Sequence, residues 1–270
     1  MPPTSPIVIY ALPGSQYVCK VLTALTARKI DHFVKLVPLD EKTRTQAIPS
    51  GGLLVPELKV GEGEDAVIVS DSEKILEWFD NNYDTKFYPD EKASELSTRV
   101  DKIVAASVWY YNWVYDETYA STVRALASKF LPSFICIFRD QILDKVLASK
   151  RKTFGGKVAK ALSIEEADLQ DEPKIRTILV EELKFFQLLL TKPSSEQPFL
   201  LPGKEATAPD FALYAQMERL VGAGTASDID FPPAIQELKE QGSGLERLWE
   251  WHDNMQKSFP VQYKGKSPPS

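Results

Sequence analysis

The stretch IVIYALPGSQYVCKVLTAL, residues 7–25, decides how the chain begins. Its first six residues are an apolar run that predicts a strand over residues 7–12, and the Pro-Gly pair that follows predicts a tight turn. Apolar residues then recur at helical spacing, which predicts a helix over residues 16–29. Ser15 lies at the turn and Cys19 lies one helical turn further on. The stretch therefore presents a hydroxyl and a thiol, either of which is a candidate for chemistry.

The next sixty residues continue this alternation. HFVKLVPL (32–39) predicts a strand, and DEKTRTQAIPSGG (40–52) is rich in turn formers and predicts a loop. LLVPELKV (53–60) and AVIVS (66–70) flank a Gly-rich acidic turn, which predicts a hairpin. DSEKILEWFDNNY (71–83) has the spacing of an amphipathic helix. The predicted order is β-α-β and then β-β-α.

Beyond this point the pattern predicts only helices. Segments of helical character cover residues 94–119, 121–152, 164–192, 208–222 and 243–259, and the second of them is expected to bend or break at Pro132. We therefore predict an α/β domain over residues 1–84, a linker over 85–94 and an all-α helical-bundle domain over 95–270.

The composition narrows the class of protein. The 270 residues are 43% hydrophobic and 26% charged, which is typical of a globular chain. The formal net charge of −6 is the opposite of the basic footprint of a nucleic-acid-binding protein. The longest apolar runs are shorter than the ~18 residues that indicate a membrane span. We expect no nucleic-acid partner and no membrane span.

The cysteine and histidine counts are both low. The two cysteines, Cys19 and Cys136, form no CxxC motif, which favours a reducing compartment over a disulfide framework. The two histidines, His32 and His252, cannot build a histidine-rich metal site, and we expect no metal. The first residues lack the basic and apolar regions of a signal peptide. The expected location is the cytoplasm.

The order of elements resembles that of the glutathione S-transferase superfamily over nearly the whole chain. The positions of Ser15, Val55-Pro56 and Asp71-Ser72 within that order carry the resemblance. The resemblance implies a thioredoxin-like N-terminal domain that binds glutathione and a helical domain that supplies the pocket for an electrophile. It also implies a homodimer. The class within the superfamily is left open, and a fungal-type member is among the candidates.

Ser15 matches the position at which some classes of this family carry a catalytic Ser or Cys. A helix N-terminus presents free N–H groups and partial positive charge, so a thiolate placed there is stabilised and a nearby hydroxyl can donate to it. The alternative is that Ser15 only caps the helix. Tyr17 is the alternate hydroxyl. Cys19 is expected to pack inside as a small apolar residue.

The resemblance also implies roles for the segment around Pro56. Pro56 would be cis, and the main chain of Val55 would pair with the cysteinyl part of glutathione as an added strand does. The alternative is an ordinary edge-strand proline. Many members carry Lys or Gln just before this proline to hold the glycine carboxylate, whereas this chain has Leu53 and Leu54. Lys42 or Arg44 in the preceding loop are the candidate substitutes.

Asp71 and Ser72 match the family's acidic-Ser pair, which holds the γ-glutamyl end of glutathione. The carboxylate of Asp71 would pair with the ligand's ammonium group, and Ser72 with backbone N–H groups would hold its α-carboxylate. The spacing of Ser70 and Glu73 is also that of a capping box, which is a purely structural alternative.

Two further segments complete the candidate residues. Thr207 and Asp210 have capping-box spacing, and the resemblance makes them a buried structural cap. The run SVWYYNWVYDETY lies on the first long helix of the second domain, which often lines the substrate cleft in this family. Its candidate pocket residues are Trp109, Tyr110 and Trp113, although each taken singly is more often a core residue.

These residues together favour a glutathione transferase that conjugates the glutathione thiolate to small apolar electrophiles or reduces peroxides. Glutathione would be the co-substrate. The alternative is a non-enzymatic ligand-binding or regulatory protein of the same fold, which the absence of Lys or Gln before Val55 favours. A serine hydrolase is disfavoured because the sequence has no GxSxG motif.

Overall fold

The computed structural model describes residues 5–12, 14–38, 41–121, 139–190, 196–221, 236–239 and 244–260. A four-stranded mixed sheet is followed by a mostly helical region, which confirms the predicted fold class. The strands are β1 (Ile7–Ala11), β2 (Phe33–Leu36), β3 (Glu57–Val60) and β4 (Val67–Ser70). They lie in the order β2-β1-β3-β4, with β1 and β2 parallel and the other two pairs antiparallel.

The described helices are α1 (Gln16–Ala27), α2 (Glu41–Ala47), α3 (Ser72–Tyr83), α4 (Glu91–Arg99), α5 (Ala105–Trp109), α6 (Asp116–Tyr119), α7 (Arg139–Leu162), α8 (Glu172–Leu189), α9 (Ala208–Val221) and α10 (Glu246–Ser258). Apart from α2, they fall near the predicted segments, although α7 continues ten residues past the predicted end at residue 152. The π-helical turn Val100–Val104 joins α4 to α5, and a second π-helical turn, Tyr110–Val114, extends α5, so that residues 91–114 form one continuous helix, which we call the long helix. The predicted bend at Pro132 lies outside the described residues.

The central strand β1 is covered on both faces of the sheet, since every one of its residues is buried. Successive strand residues point to opposite faces. Ile7, Ile9 and Ala11 join the main core with α1 and α3. Val8 and Tyr10 join a smaller cluster on the other face, next to the end of α2.

The helix α2 corrects the predicted loop over residues 40–52. None of its residues is buried, so it carries no apolar period that a sequence pattern would reveal. The chain forms it against the outer face of the sheet, where Ile48, just after α2, is buried.

The helix α4 begins inside the predicted linker over residues 85–94. Asp90 caps it, since its side chain accepts a hydrogen bond from the backbone N–H of Ala93 at 2.9 Å. The segment before the cap is also packed in place. Phe87 is buried, and its carbonyl accepts from the N–H of Ala208 at 2.8 Å.

Arg28 links the sheet domain to the helical region. Its guanidinium donates to the carbonyl of Thr85 and to the carbonyl of Ala206, both at 2.8 Å, and it lies over the ring of Phe87. Helix α1 also packs directly against α9. The two parts of the described chain therefore meet along α1, next to the turn that carries Ser15.

Candidate functional site

Strand register brings three candidate segments to one edge of the sheet. Tyr10 near the end of β1 pairs with Glu57 at the start of β3, and Glu57 pairs with Ser70 at the end of β4. The turn with Ser15, the segment before Pro56 and the start of α3 all adjoin this row. The residues that the sequence proposed for glutathione thus lie at a common edge.

Ser15 is the N-cap of α1. Its backbone is extended, with φ −75° and ψ 120°, and its Oγ accepts from the backbone N–H of Val18 at 3.4 Å. The side chain is partly exposed, and no acceptor for its hydroxyl hydrogen occurs among the described residues. Ser15 therefore does cap the helix, and this cap leaves its hydroxyl hydrogen free to donate to a ligand.

Tyr17 lies among carboxylates. Burial in the first place, and then the charges of Asp101, Asp71 and Glu73, hold the pKa of its phenol well above the ordinary value. The phenol therefore stays protonated over the working pH range. Its surroundings place it toward the start of α3, where the γ-glutamyl end of glutathione was expected.

Cys19 is fully buried, with 0% of its surface exposed. Its Sγ lies 3.9 Å from Oγ1 of Thr23, and burial raises the pKa of the thiol, with Glu218 adding to the effect. A buried, protonated thiol is a poor nucleophile. The geometry agrees with the expected packing role and argues against a thiol-transfer function for Cys19. Cys136 lies outside the described residues.

The Val55-Pro56 peptide is cis, as the resemblance implied. The two residues before it are exposed apolar side chains, with Leu53 at 41% and Leu54 at 73% of their full exposure. The residues that precede Val55 therefore place apolar side chains where the family often places a charge or an amide.

Arg44 lies beside this segment. Its Nη1 donates to the carbonyl of Leu53 at 3.4 Å and its Nε donates to the carbonyl of Pro38 at 3.0 Å. Lys42 is also on α2, with an exposed side chain. Of the two candidate substitutes for the missing anchor, the structure places Arg44 next to Leu53.

Glu57 is a residue of this edge that sequence reasoning missed. It is buried, and its carboxylate accepts from the N–H of Ser50 at 3.0 Å and from the hydroxyl of Ser70 at 2.7 Å. It thereby ties the loop after α2 to the end of β4. A carboxylate directly after Val55-Pro56, at the first position of β3, is the signal that would have identified it.

Asp71, not Ser70, caps α3. Its side chain accepts from the backbone N–H of Glu73 at 2.9 Å, whereas the hydroxyl of Ser70 is used by Glu57, so the predicted Ser70–Glu73 capping box is wrong. Asp71 is exposed and has φ 89°, which an L residue rarely adopts. Ser72 is buried in the first turn of α3.

A polar cluster near Tyr17 surrounds a buried lysine, while its carboxylates are partly exposed. The ammonium group of Lys20, a residue only 1% exposed, contacts the carboxylate of Glu73, and it lies 3.3 Å from Oγ of Ser97 and 3.5 Å from Oδ2 of Asp101. The hydroxyl of Tyr88 donates to the other oxygen of Glu73. We call these five residues the Lys20 cluster. It joins α1 and α3 to the long helix.

The candidate pocket residues of the aromatic run differ in burial. Trp113 stacks on Phe154 of α7, with ring centroids 4.5 Å apart, and Trp109 meets the same ring edge-on. Both Trp side chains are half-buried. Tyr110, in contrast, is 0% exposed and its hydroxyl donates to the carbonyl of Leu169 at 3.3 Å. Tyr110 belongs to the core, which corrects its predicted place in the pocket.

Asp210 is buried and accepts four hydrogen bonds. Their donors are the N–H and hydroxyl of Thr207, both at 2.9 Å, the N–H of Leu200 at 2.8 Å and the indole of Trp251 at 3.3 Å. These bonds hold the start of α9 and link it to α10. Asp210 accepts from the N–H of Thr207 as in a capping box, whereas the Thr207 hydroxyl donates to Asp210, and this cap is far along the chain from the residues of the sheet edge.

No group of three or more metal-ligating side chains comes together in the described part of the chain. None of the described helices is both long enough and apolar enough to span a membrane.

Comparison with known proteins identifies the fold. Residues 9–87 match the family model described as "Glutathione S-transferase, N-terminal domain". No curated protein matches the sequence. The similar solved structures include a delta-class glutathione transferase from Nilaparvata lugens, at 17% identity over 96% of this chain and 94% of that chain, with a TM-score of 0.51.

Two bacterial structures are also similar. One is a glutathione S-transferase from Methylobacterium radiotolerans in complex with glutathione sulfonate, at 16% identity over 98% of both chains, with a TM-score of 0.52. The other is a glutathione S-transferase domain-containing protein from Marinobacter aquaeolei, at 14% identity over 92% of this chain and 97% of that chain, with a TM-score of 0.54. At these identities the likeness shows the fold.

The family match and the fold agree with each other. Residues 9–87 match the glutathione S-transferase N-terminal domain family, and the chain as a whole has the fold of solved glutathione transferases, in which a helical region follows that domain.

Proposed function

We propose that this protein is a glutathione transferase that conjugates the glutathione thiolate to small apolar electrophiles, or reduces peroxides with it. The observation that carries the proposal is the geometry of Ser15. This residue caps α1 with its oxygen, keeps its hydroxyl hydrogen free, and lies at the same sheet edge as Val55 and Asp71.

Each part of glutathione has a candidate partner at this edge. The main chain of Val55 pairs with the cysteinyl part. Asp71 pairs with the γ-glutamyl ammonium group, and Ser72 with the first N–H groups of α3 holds the α-carboxylate. Arg44 holds the glycine carboxylate, since its guanidinium already lies beside Leu53.

The backbone of Asp71 supports its binding role. A positive φ in a residue other than glycine costs on the order of 1–3 kcal/mol and is concentrated at functional sites. Here it turns the chain at φ 89° so that Asp71 both caps α3 and remains exposed to a ligand.

The chemistry needs a thiolate. A free thiol titrates near pH 8.5, so lowering its pKa by one to two units makes much of it thiolate near neutral pH. The Ser15 hydroxyl donates to the sulfur, and the N-terminus of α1 contributes partial positive charge. The thiolate then attacks the electrophilic carbon, a C–S bond forms, and the leaving group departs with the bonding electron pair. Trp109 and Trp113 are the candidate apolar pocket residues.

The test is Ser15→Ala with glutathione and an aryl halide electrophile. We expect conjugation to fall on the order of 100-fold, the usual effect of removing a donor that stabilises developing negative charge. Ser15→Thr retains the hydroxyl and the cap, and serves as the matched control. Activity of Ser15→Ala at the wild-type level would refute the assignment.

A second function is supported by one observation. Leu53 and Leu54 are exposed apolar residues next to the segment that would bind glutathione, which fits a non-enzymatic ligand-binding or regulatory protein of the same fold. Calorimetry separates the two. Absence of heat at millimolar glutathione favours the second function, whereas binding together with turnover favours the first.

We also propose the domain bounds, the oligomeric state and the location of the protein. The glutathione-binding domain spans residues 1–84 and the substrate-pocket domain spans 95–270, and the protein acts as a homodimer in the cytoplasm. Light scattering of the full chain tests the oligomeric state, and a mass equal to one chain would exclude the homodimer.

A further inference from the structure

The carboxyl groups of Glu73 and Asp101 share one buried cation, and they share it unequally. Glu73 receives hydrogen bonds from Lys20, from Tyr88 and from Ser97, the last at 3.1 Å. Asp101 has only the longer contact of 3.5 Å between its Oδ2 and the same lysine. Its Oδ1 is buried with no hydrogen-bond partner among the described residues. A carboxylate in that position lacks the donors that stabilise its charge.

The two carboxyl groups lie close to each other, because both contact the ammonium group of Lys20. Two carboxylates so close repel each other and neither can donate a hydrogen bond, so a proton on one of them stabilises the pair. The Ser97 hydroxyl donates to Glu73, so it cannot supply a donor to Asp101. The proton therefore belongs on Asp101.

Charge balance supports the same arrangement. With Asp101 neutral, the cluster holds one ammonium group and one carboxylate and has no net charge. With Asp101 ionised, it holds an extra negative charge where Lys20 is only 1% exposed. Burial and the neighbouring Glu73 raise the pKa of Asp101 to about 7, although Lys20 opposes the shift.

The other charged groups near the long helix have their own partners. Tyr17 from α1 faces Asp101, and Asp71 lies beyond it at the start of α3. On α8, Glu182 pairs with Arg99, and on α9, Glu218 lies 2.8 Å from Nε2 of His252. On α7, Lys157 lies over the rings of Trp109 and Phe154. Lys20 and Glu73 are thus the charged groups that set the state of Asp101.

We propose that Asp101 holds a proton where the long helix meets α1 and α3, and that release of this proton weakens the contact between the two domains. Lys20 and Glu73 belong to the sheet domain and Asp101 to the helical region, so the extra charge acts across the domain contact. Tyr17 adjoins the same contact, which brings the effect to the candidate site. The contact is a pH-sensitive device independent of the activity proposed above.

The sign of the effect follows from linkage. An exposed aspartate in the unfolded chain has a pKa near 3.9, so the folded state binds one more proton between about pH 4 and pH 7. The free energy of unfolding therefore falls as the pH rises through this window, and the contribution of Asp101 is fully lost above it. Asp101→Asn stays neutral at every pH and removes this dependence.

The direct test is a carbon-13 NMR titration of the aspartate carboxyl groups of the full chain. We expect the Asp101 signal to titrate with a midpoint near pH 7. Asp101→Asn should remove that signal, and through-bond assignment in the wild type identifies it even when the variant does not fold. A midpoint at or below about pH 5 for Asp101 would overturn the proposal.

Melting temperatures and hydrogen exchange test the consequence for the domain contact. From pH 5 to pH 8, we expect the wild type to lose several degrees relative to Asp101→Asn, with faster amide exchange in α1 and the long helix. Asp65→Asn, at an exposed position in the turn before β4, is the matched control and should follow the wild type. The same difference between wild type and Asp101→Asn at both pH values would overturn the proposal.

Discussion

The Oγ atom of Ser15 accepts a hydrogen bond from the backbone N–H of Val18 at 3.4 Å. One hydroxyl therefore has two separable functions. Its oxygen satisfies a free N–H group at the start of α1, and its hydrogen remains available for a ligand. A substitution that changes only one of these functions distinguishes a structural cap from a group that stabilises a thiolate.

Ser15→Asp separates the two functions. Aspartate caps a helix as well as serine does, so the free energy of unfolding should stay within about 0.5 kcal/mol of the wild type, whereas Ser15→Ala should lose about 1 kcal/mol. Aspartate also places a negative charge beside the sulfur, so conjugation should be lost. Urea unfolding and turnover are the two measurements. A stable and active Ser15→Asp would show that the hydroxyl plays no part in the chemistry.

Asp71→Asn tests the γ-glutamyl end. Asparagine is an equally good cap, so the stability should be retained. Loss of the charged hydrogen bond to the ligand's ammonium group should raise the Kd of glutathione roughly 10- to 100-fold. Calorimetry measures the Kd, with Asp65→Asn as the control at an exposed position. An unchanged Kd would remove Asp71 from the site.

Arg44→Met tests the glycine end. The change removes the cation next to Leu53 and should weaken glutathione binding roughly tenfold. Lys42→Met, on the same helix, is the matched control and should have less effect. The dipeptide γ-glutamylcysteine lacks the glycine carboxylate, so its affinity should be the same for wild type and Arg44→Met. Equal losses for both ligands would indicate that Arg44 only supports the loop.

Asp210→Ala tests the buried cap. The substitution leaves four buried donors without their acceptor, and each unsatisfied group costs about 1–3 kcal/mol. We expect a loss of at least about 3 kcal/mol in the free energy of unfolding, measured in urea. Asp253→Ala, on the half-exposed face of α10, should cost well under about 1 kcal/mol. Similar small effects from both changes would contradict a structural cap at Asp210.

The order of elements was predictable because strands and buried helices carry apolar periods. The strand before Ser15 and the helix after it show this most clearly. The helix α2 was not predictable in the same way, since none of its residues is buried. The π-helical turns of the long helix were also missed, because residues 100–114 are apolar at most positions, so that a shift in helical register leaves no break in the pattern.

The candidate site was predictable only in part. Ser15, Val55 and Asp71 stood out because turns, a proline and a cap mark them in the sequence. Glu73 and Asp101 did not, because their partnership with Lys20 joins residues more than twenty positions apart and has no local pattern. Tyr110 was misplaced for a related reason, since its burial depends on the core around it and on the hydrogen bond to the carbonyl of Leu169, neither of which has a local pattern.

The central claim is that Ser15 stabilises the thiolate of bound glutathione. Ultraviolet difference absorbance follows the thiolate of glutathione bound to the full chain as the pH is raised. We predict a thiol pKa one to two units below the ordinary value near 8.5 in the wild type, and a return toward that value in Ser15→Ala. Bound glutathione whose thiol pKa is ordinary in the wild type, or equally low in Ser15→Ala, would contradict the account.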